Sequence, residues 1–266
     1  MALIHLNVFS EKINRNTDLN IVIPADTKLS GRSYPVLYLL HGTYGDYTDW
    51  IRKSNVERYA QECGMAVVMP SADNSFYLDH YSGPAYASYI SQELYEYLPQ
   101  LLPLTRDPGN TYIGGLSMGG YGAFYLAAKA PGKYGAAISL CGGFDIVKIM
   151  ANSSFSPKIY PFDAMFSDYT PERWKEEDVN IGKLLCRSKE SGIMLPRLYI
   201  AVGQEDITYE ANQDLTGILK SNGIAFTYEE GPGRHEWDYW DKQIRRAMIW
   251  LKEGEKGTCS ETRGRS

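Results

Sequence analysis

The sequence predicts an α/β fold with a mostly parallel central sheet and helices on both of its faces. From about residue 35 onward, short apolar runs alternate with segments of helical periodicity, which is the pattern of this fold class. The runs at residues 34–40 and 65–70 are almost continuously apolar, as expected of strands buried on both faces of a sheet. A length of 266 residues, 44% of them hydrophobic, suits one domain of this kind.

The first elements are a predicted hairpin and the start of the parallel sheet. Apolar and polar side chains alternate in residues 3–9 and 19–24, and a polar turn separates these segments, so we predict two antiparallel strands. The buried strand at 34–40 follows. A helix is predicted over residues 55–63, and the next buried strand lies at 65–70.

The alternation continues in the second half of the chain. The predicted strands lie at residues 111–115, 134–141, 195–202 and 225–230, and the predicted helices at 86–98, 121–129, 209–220 and 236–251. The pattern fails between about residues 143 and 193, which are rich in aromatic side chains, and we interpret them as an inserted cap region. Residues 255–266 are polar and predicted to be disordered, which leaves a single predicted domain at 1–254.

The most informative motif lies where a predicted strand meets a predicted helix, at residues 115–119 (GLSMG). G-x-S-x-G in a strand–turn–helix setting is typical of the nucleophile elbow of α/β-hydrolases. Glycines are expected there because a strand that turns abruptly into a helix crowds its own backbone, and only residues without a Cβ leave room. We therefore predict an α/β-hydrolase fold with Ser117 as the nucleophile.

A serine hydroxyl needs a general base, usually a histidine that a carboxylate holds in place. In this fold the chain order is nucleophile, acid, base. The chain has four histidines, and His235 is the one that follows Ser117, so it is the predicted base. Asp206, just past the penultimate predicted strand, is the favoured acid, with Glu205 and Asp145 as alternatives.

The predicted oxyanion hole consists of two backbone N–H groups, those of Met118 and Thr43. His41, which precedes this second loop position, is expected to hold the loop rather than to carry a proton. Candidate substrate contacts share a place in loops at the C-terminal edge of the sheet, where open α/β sheets bind ligands. They are Trp50, Asn74, Phe76, Tyr77, His80 and Trp237.

Composition argues against several other functions. A net charge of -5 provides no basic surface for a nucleic acid. No apolar run is long enough to span a bilayer and no signal peptide is visible, so we expect a cytoplasmic protein without a membrane partner; a secreted protein that has lost its signal peptide is the alternative. The four cysteines are scattered, which predicts no metal site and leaves one disulfide open. No cofactor is expected, and a homo-oligomer stays open.

Several motifs along nearly the whole chain carry a resemblance to a known family. They are residues 35–42 (PVLYLLHG), 49–50 (DW), 55–58 (NVER), 115–122 (GLSMGGYG), 205–206 (ED) with 209–212 (YEAN), and 235–237 (HEW). The chain resembles the bacterial tributyrin esterases of the esterase D superfamily. That superfamily also contains S-formylglutathione hydrolases and the feruloyl and acetylxylan esterases of carbohydrate esterase family one. The family's nucleophile, acid and base fall on Ser117, Asp206 and His235.

The resemblance implies a serine carboxylesterase that needs no cofactor and acts on short-chain esters. The 21 tyrosines and the aromatic cap favour a hydroxycinnamoyl (feruloyl-type) or carbohydrate-linked ester. A thioesterase or an acyltransferase could use the same residues. In S-formylglutathione hydrolases, however, the first loop has a sequence similar to S-G-L-T-C and the elbow one similar to G-H-S-M-G-G-H-G. This chain has HGTYG at 41–45 and GLSMGGYG at 115–122 instead, which argues against a glutathione thioester as the substrate. A non-catalytic binding module on the same scaffold is the alternative from another class.

Overall fold

One mixed sheet organises the part of the chain that the computed structural model describes, residues 1–24, 33–146 and 179–254. The sheet has eight strands in the order β1-β2-β4-β3-β5-β6-β7-β8. The strands are β1 (Ala2–Ser10), β2 (Arg15–Ile23), β3 (Val36–Leu40), β4 (Ala66–Pro70), β5 (Thr111–Leu116), β6 (Ala136–Leu140), β7 (Arg197–Gly203) and β8 (Thr227–Gly231). This confirms the predicted fold class.

The hairpin and the parallel sheet join at β2. β1 and β2 pair antiparallel from Ala2↔Ile23 to Ser10↔Arg15, as predicted, and β2 also pairs antiparallel with β4. All further pairs, from β4 across to β8, are parallel. The chain runs from β3 to β4 on one side and then to β5 on the other, so the strand order reverses around β3. Such a reversal opens a crevice at the carboxyl ends of the strands.

Helices cover both faces of the sheet. They are α1 (Asp49–Lys53), α2 (Val56–Cys63), α3 (Tyr86–Ser88), a π-helical segment (Tyr89–Leu94), α4 (Tyr95–Leu101), a 3-10 turn (Pro108–Asn110), α5 (Met118–Lys129), α6 (Ile181–Glu190), α7 (Tyr209–Ser221) and α8 (Trp237–Gly254). α1, α2 and α8 pack on one face, and α5, α6 and α7 pack on the other.

The burial of β3 on both faces explains why its sequence is apolar at every position. Val36, Tyr38 and Leu40 belong to the core beneath α5, whereas Leu37 and Leu39 belong to the core beneath α8. Successive side chains of a strand point to opposite faces, so a strand between two helical layers must be apolar at every position.

Among the described residues, two helices were not predicted from the sequence. α1 is a short helix between the predicted strand and helix of the first crossover. α6 lies inside the stretch interpreted as a cap, but its apolar side packs into the core beside α5, with Ile181 and Leu185 buried. For this part of the predicted cap at 143–193 the interpretation is corrected to a helix of the core layer. The remaining part, residues 147–178, and the predicted tail at 255–266 lie outside the described residues.

The long predicted helix at 86–98 is observed as three consecutive segments, because its middle turn winds as a π-helix. The predicted helix at 121–129 begins earlier than expected, at Met118. In the described ranges, none of the helices is both long enough and apolar enough to cross a membrane.

Candidate active site

Ser117 occupies a tight turn between β5 and α5. Its backbone angles are φ 53° and ψ -117°, a positive φ that a non-glycine residue adopts only where the surroundings enforce it. Its N–H donates to Leu140 O (2.9 Å), and its carbonyl accepts from the N–H of Gly143 (3.1 Å). These bonds tie the turn to the end of the neighbouring strand β6.

Glycine allows α5 to start directly against the strand ends. A Cβ on Gly119 would lie 2.5 Å from Leu40 O and 2.6 Å from His41 O, and one on Gly115 would lie 2.5 Å from the backbone of Gly119. These partners are backbone atoms, which cannot move aside as a flexible side chain could. The two outer glycines of the motif thus bring Ser117 close to the loop that follows β3.

Three side chains from separate parts of the chain form one hydrogen-bonded line. His235 Nε2 lies 2.9 Å from Ser117 Oγ, and His235 Nδ1 lies 3.0 and 2.9 Å from the two carboxylate oxygens of Asp206. Nδ1 can donate only when it carries the proton, and Nε2 then accepts from the serine hydroxyl. The structure therefore brings together the three residues predicted to be nucleophile, acid and base.

The Asp206 carboxylate is removed from water and well bonded. Its side chain has no exposed surface, and Oδ1 accepts from the N–H and the hydroxyl of Thr208 (2.7 Å each). Burial alone would raise the pKa of this carboxyl group. The hydrogen bond and charge of His235, together with hydrogen bonding from Cys141 and Thr208, outweigh burial and hold the pKa below its usual value. The carboxylate is thus ionised and oriented.

The two alternative acids do not take this place. Glu205 accepts a hydrogen bond from the backbone N–H of Gly233 (2.6 Å) instead. Both ring nitrogens of His235 are already engaged, one by Asp206 and the other by Ser117, which leaves none for Glu205 or Asp145.

The two residues of the predicted oxyanion hole line the same cavity as Ser117. Met118 is the first residue of α5, where backbone N–H groups have no partner within the helix, and Thr43 lies in the loop after β3. Both line the cavity into which Ser117 opens. Gly42 lets this loop lie against β5, because a Cβ there would be 2.5 Å from Leu116 Cδ1.

His41 is fully buried beneath the same loop. Its Nε2 accepts from the N–H of Ala72 (2.9 Å), so the proton must be on Nδ1, which donates to Gly42 O (2.7 Å). Burial lowers the pKa of this imidazole, which favours the neutral ring. The bond with Ala72 links the loop after β3 to the loop after β4, and the bond with Gly42 fixes the ring within the first of these loops.

Two predicted substrate contacts also support this loop instead of facing a substrate. Tyr77 is buried with its ring against Gly122, and its hydroxyl donates to His41 O (2.9 Å). Asn74 Oδ1 accepts from the N–H of Tyr44 (2.8 Å). Both contacts run between the loop after β4 and the loop after β3, so we correct these two predictions to a supporting role.

Trp50 and His80 are likewise corrected. Trp50 is buried beneath the strand ends, where its Nε1 donates to Leu40 O (3.1 Å). His80 packs edge-on against Tyr86, with ring centroids 5.6 Å apart. Neither is among the described residues that line the cavity.

A cavity of about 720 Å³ opens above Ser117. Its described lining is Gly42, Thr43, Tyr44, Asp49, Lys53, Phe76, Leu116, Ser117, Met118, Gly143, Ile207, Thr208, His235, Glu236, Trp237 and Trp240. Two predicted contacts, Phe76 and Trp237, are in this lining. The sequence analysis missed Asp49 and Lys53 as lining residues because it did not predict α1. It also missed Trp240, although the helical spacing of this residue, three positions after Trp237, could have indicated that it lines the cavity.

An aromatic series connects the cavity wall to His235. Trp50 packs edge-on against Trp237 (5.2 Å between centroids), Trp237 against Trp240 (5.3 Å), and Trp240 against His235 (4.9 Å). Edge-to-face packing at these distances is favourable and directional. It restricts the orientation of the imidazole from the side of α8.

The described cysteines, Cys63, Cys141 and Cys186, are free thiols, and Cys259 lies outside the described residues. Cys141, Asp206 and His235 are the one group in the described ranges with metal-ligand chemistry, their ligand atoms lying within 4.8 Å of one another. Asp206 and His235 are bonded to each other there, which favours the hydrogen-bonded over the metal-bound arrangement.

Comparison with known proteins identifies relatives over nearly the whole chain. The Esterase family model, described as "Putative esterase", matches residues 10–251. An acetyl esterase of Caldicellulosiruptor saccharolyticus is 30% identical over 95% of this chain and 99% of its own.

Two solved structures from Staphylococcus aureus are also similar. One is the fluorophosphonate-binding serine hydrolase F (TM-score 0.85, 31% identity, covering 94% of this chain and 98% of that one). The other is an S-formylglutathione hydrolase (TM-score 0.82, 30% identity, with the same coverage).

Proposed function

Because the chain belongs to the esterase family and is a carboxylic ester hydrolase, we propose that it works through an acyl-enzyme formed on Ser117. The observation that carries this proposal is the continuous hydrogen-bonded line from Ser117 through His235 to Asp206. A nucleophile, a base and an orienting acid at these distances are what acyl transfer by a serine requires.

In the proposed first step, Ser117 Oγ attacks the ester carbonyl and gives its proton to His235 Nε2. The oxyanion of the tetrahedral intermediate lies between the N–H groups of Met118 and Thr43. His235, held by Asp206, then protonates the leaving alcohol, and the acyl group remains on Ser117. In the second step a water molecule gives a proton to the same nitrogen and attacks the acyl-enzyme. The bond between the acyl carbon and Ser117 Oγ breaks, His235 returns the proton to Ser117 Oγ, and the acid is released.

The proposed substrates are short-chain esters. We include hydroxycinnamoyl (feruloyl-type) and carbohydrate-linked esters as further proposed substrates. The relative described as an acetyl esterase supports a short acyl group. A cavity of about 720 Å³ with Phe76, Trp237 and Trp240 in its wall has room and aromatic surface for a larger, flat group.

A second candidate is hydrolysis of a thioester on the same residues. The similarity to a solved S-formylglutathione hydrolase at 30% identity favours it. Acyl transfer to an acceptor other than water would need no further catalytic group. Measuring kcat/KM ranks the proposed substrate classes, with four test substrates: tributyrin, an acetylated xylan, methyl ferulate and S-formylglutathione.

Replacing Ser117 tests the mechanism directly. Ser117→Ala removes the nucleophile, so hydrolysis of p-nitrophenyl acetate is expected to fall by at least about a thousandfold. Labelling by a fluorophosphonate probe is expected to disappear with it. Circular dichroism and thermal unfolding of the variant serve as the folding control. A well-folded Ser117→Ala protein that retains wild-type turnover would contradict the proposal.

A further inference from the structure

A cysteine lies against the proposed acid. Cys141 directly follows β6, has no exposed surface and forms no disulfide. Its Sγ, a carboxylate oxygen of Asp206 and a ring nitrogen of His235 all lie within 4.8 Å of one another. The mechanism proposed above uses Asp206 and His235 but assigns no role to this thiol.

The backbone holds the thiol in this position. Cys141 has φ 50°, in the left-handed region that an L-residue adopts only when its surroundings enforce it. Its N–H donates to Ala201 O (2.8 Å) in β7, the strand that leads to Asp206. Two residues later, the N–H of Gly143 donates to the carbonyl of Ser117. The segment is thus tied both to the strand that carries the acid and to the nucleophile.

The thiol is protonated and can only donate to the carboxylate. Burial, and then the negative charge of Asp206, raise the pKa of Cys141, although the N–H groups of Gly203 and Trp240 face the sulfur and oppose this. An ionised carboxylate has about four lone-pair sites. Both donors of Thr208 lie on Oδ1, so Oδ2, which lies 2.9 Å from the His235 ring nitrogen, has a lone-pair site for a further donor.

We propose that Cys141 is a positioning residue that donates its S–H to the Asp206 carboxylate and so holds it against His235. The inference rests on the proposed roles of those two residues. A thiol suits this task because it is a weak donor. It restrains the carboxylate while leaving most of its negative charge to stabilise the imidazolium that forms when Ser117 attacks.

Kinetics of two substitutions test the proposal. Cys141→Ala removes the donor, and we expect kcat for p-nitrophenyl acetate to fall by about threefold to tenfold with KM unchanged. Cys141→Ser restores a donor, so part of the lost kcat is expected to return. Cys186→Ala, on α6 and away from the cavity lining, is the matched control and is expected to leave kcat unchanged.

The S–H stretching band provides a test that does not depend on activity. The Cys141 band is isolated as the infrared difference between wild type and Cys141→Ser. The same difference spectrum is then recorded between the Asp206→Asn variant and the double variant that carries both Asp206→Asn and Cys141→Ser. Because a neutral amide is a weaker acceptor than a carboxylate, we expect the band to move to higher wavenumber.

Either of two results would overturn the inference: wild-type kcat in folded Cys141→Ala, or a band that Asp206→Asn leaves in place. If Cys141→Ala does not fold, the shift of the S–H band on Asp206→Asn substitution is the test of the inference. Failure of the acyl-enzyme mechanism itself would show separately, as hydrolysis retained by Ser117→Ala.

Discussion

At the scale of single residues, His41 shows how burial and two hydrogen bonds select one protonation state. The ring accepts from Ala72 and donates to Gly42, so a second proton would break a bond inside the core. Burial of the ring makes its pKa lower in the folded chain than the ordinary value of 6.5, although the bond to Gly42 acts in the opposite direction. The unfolded chain binds the proton first as the pH falls.

This difference predicts a pH-dependent stability. Below about pH 6.5 proton binding to this histidine stabilises the unfolded state relative to the folded state. The free energy of unfolding should therefore fall by up to about 1.4 kcal/mol per pH unit for each proton taken up. His41→Gln should flatten this slope in urea unfolding measured from pH 7.5 to pH 5. His80 contributes in the same direction, since burial also lowers its pKa, so the comparison is between variant and wild type.

His5→Gln, a change at an exposed histidine on β1, is the control for His41→Gln. Equal slopes in wild type and His41→Gln would show that the neutral ring of His41 does not govern the effect.

At the scale of elements, α5 depends on glycine where it meets the strand ends. Gly119→Ala would place a Cβ 2.5 Å from Leu40 O, and we expect it to cost about 2–3 kcal/mol of stability because backbone must shift. The shift also displaces the loop after β3, so kcat should fall as well. Gly217→Ala, exposed on α7 with no atom within 4 Å of the new Cβ, should instead stabilise by about 0.5–1 kcal/mol.

Urea denaturation measures both glycine variants. If Gly119→Ala were as stable as Gly217→Ala, the contact between α5 and Leu40 would not be the reason for glycine at this position.

At the scale of the whole molecule, the site joins parts of the chain that are distant in sequence. Trp50 bonds to the end of β3, and the aromatic series through Trp237 and Trp240 reaches His235 in the cavity wall. The loop that carries Thr43 and the loop that carries the base are thus packed together through one core.

Trp50→Phe tests this connection. It removes the bond to Leu40 O and part of the edge-to-face packing, so we expect a loss of about 1–2 kcal/mol in stability and a lower kcat with little change in KM. Trp250→Phe changes a tryptophan that packs against Tyr199 and Arg197 outside this series, and it should leave kcat unchanged. Equal kcat values in the two variants would argue against a role for the series.

The sequence alone was sufficient for the fold class, the hairpin, the strand order along the chain and the esterase family. These depend on local patterns: burial on both faces makes β3 and β4 apolar throughout, and the sharp turn at Ser117 demands glycine around it. The restricted supply of histidines and the fixed chain order of the fold also singled out His235 and favoured Asp206 over Glu205 and Asp145. The structure places His235 and Asp206 within hydrogen-bonding distance of each other.

Only the tertiary structure decided which aromatic side chains face the cavity and which lie beneath it. Trp50, on the short helix α1, and Tyr77, in the loop after β4, both lie close to the site in sequence, yet both are buried and bond to backbone carbonyls at the end of β3. Likewise, Cys141 meets Asp206 only because β6 and β7 are neighbours in the sheet. The physical reason is that a side chain's direction and partners depend on contacts between elements far apart in the chain, which periodicity and local sterics do not encode.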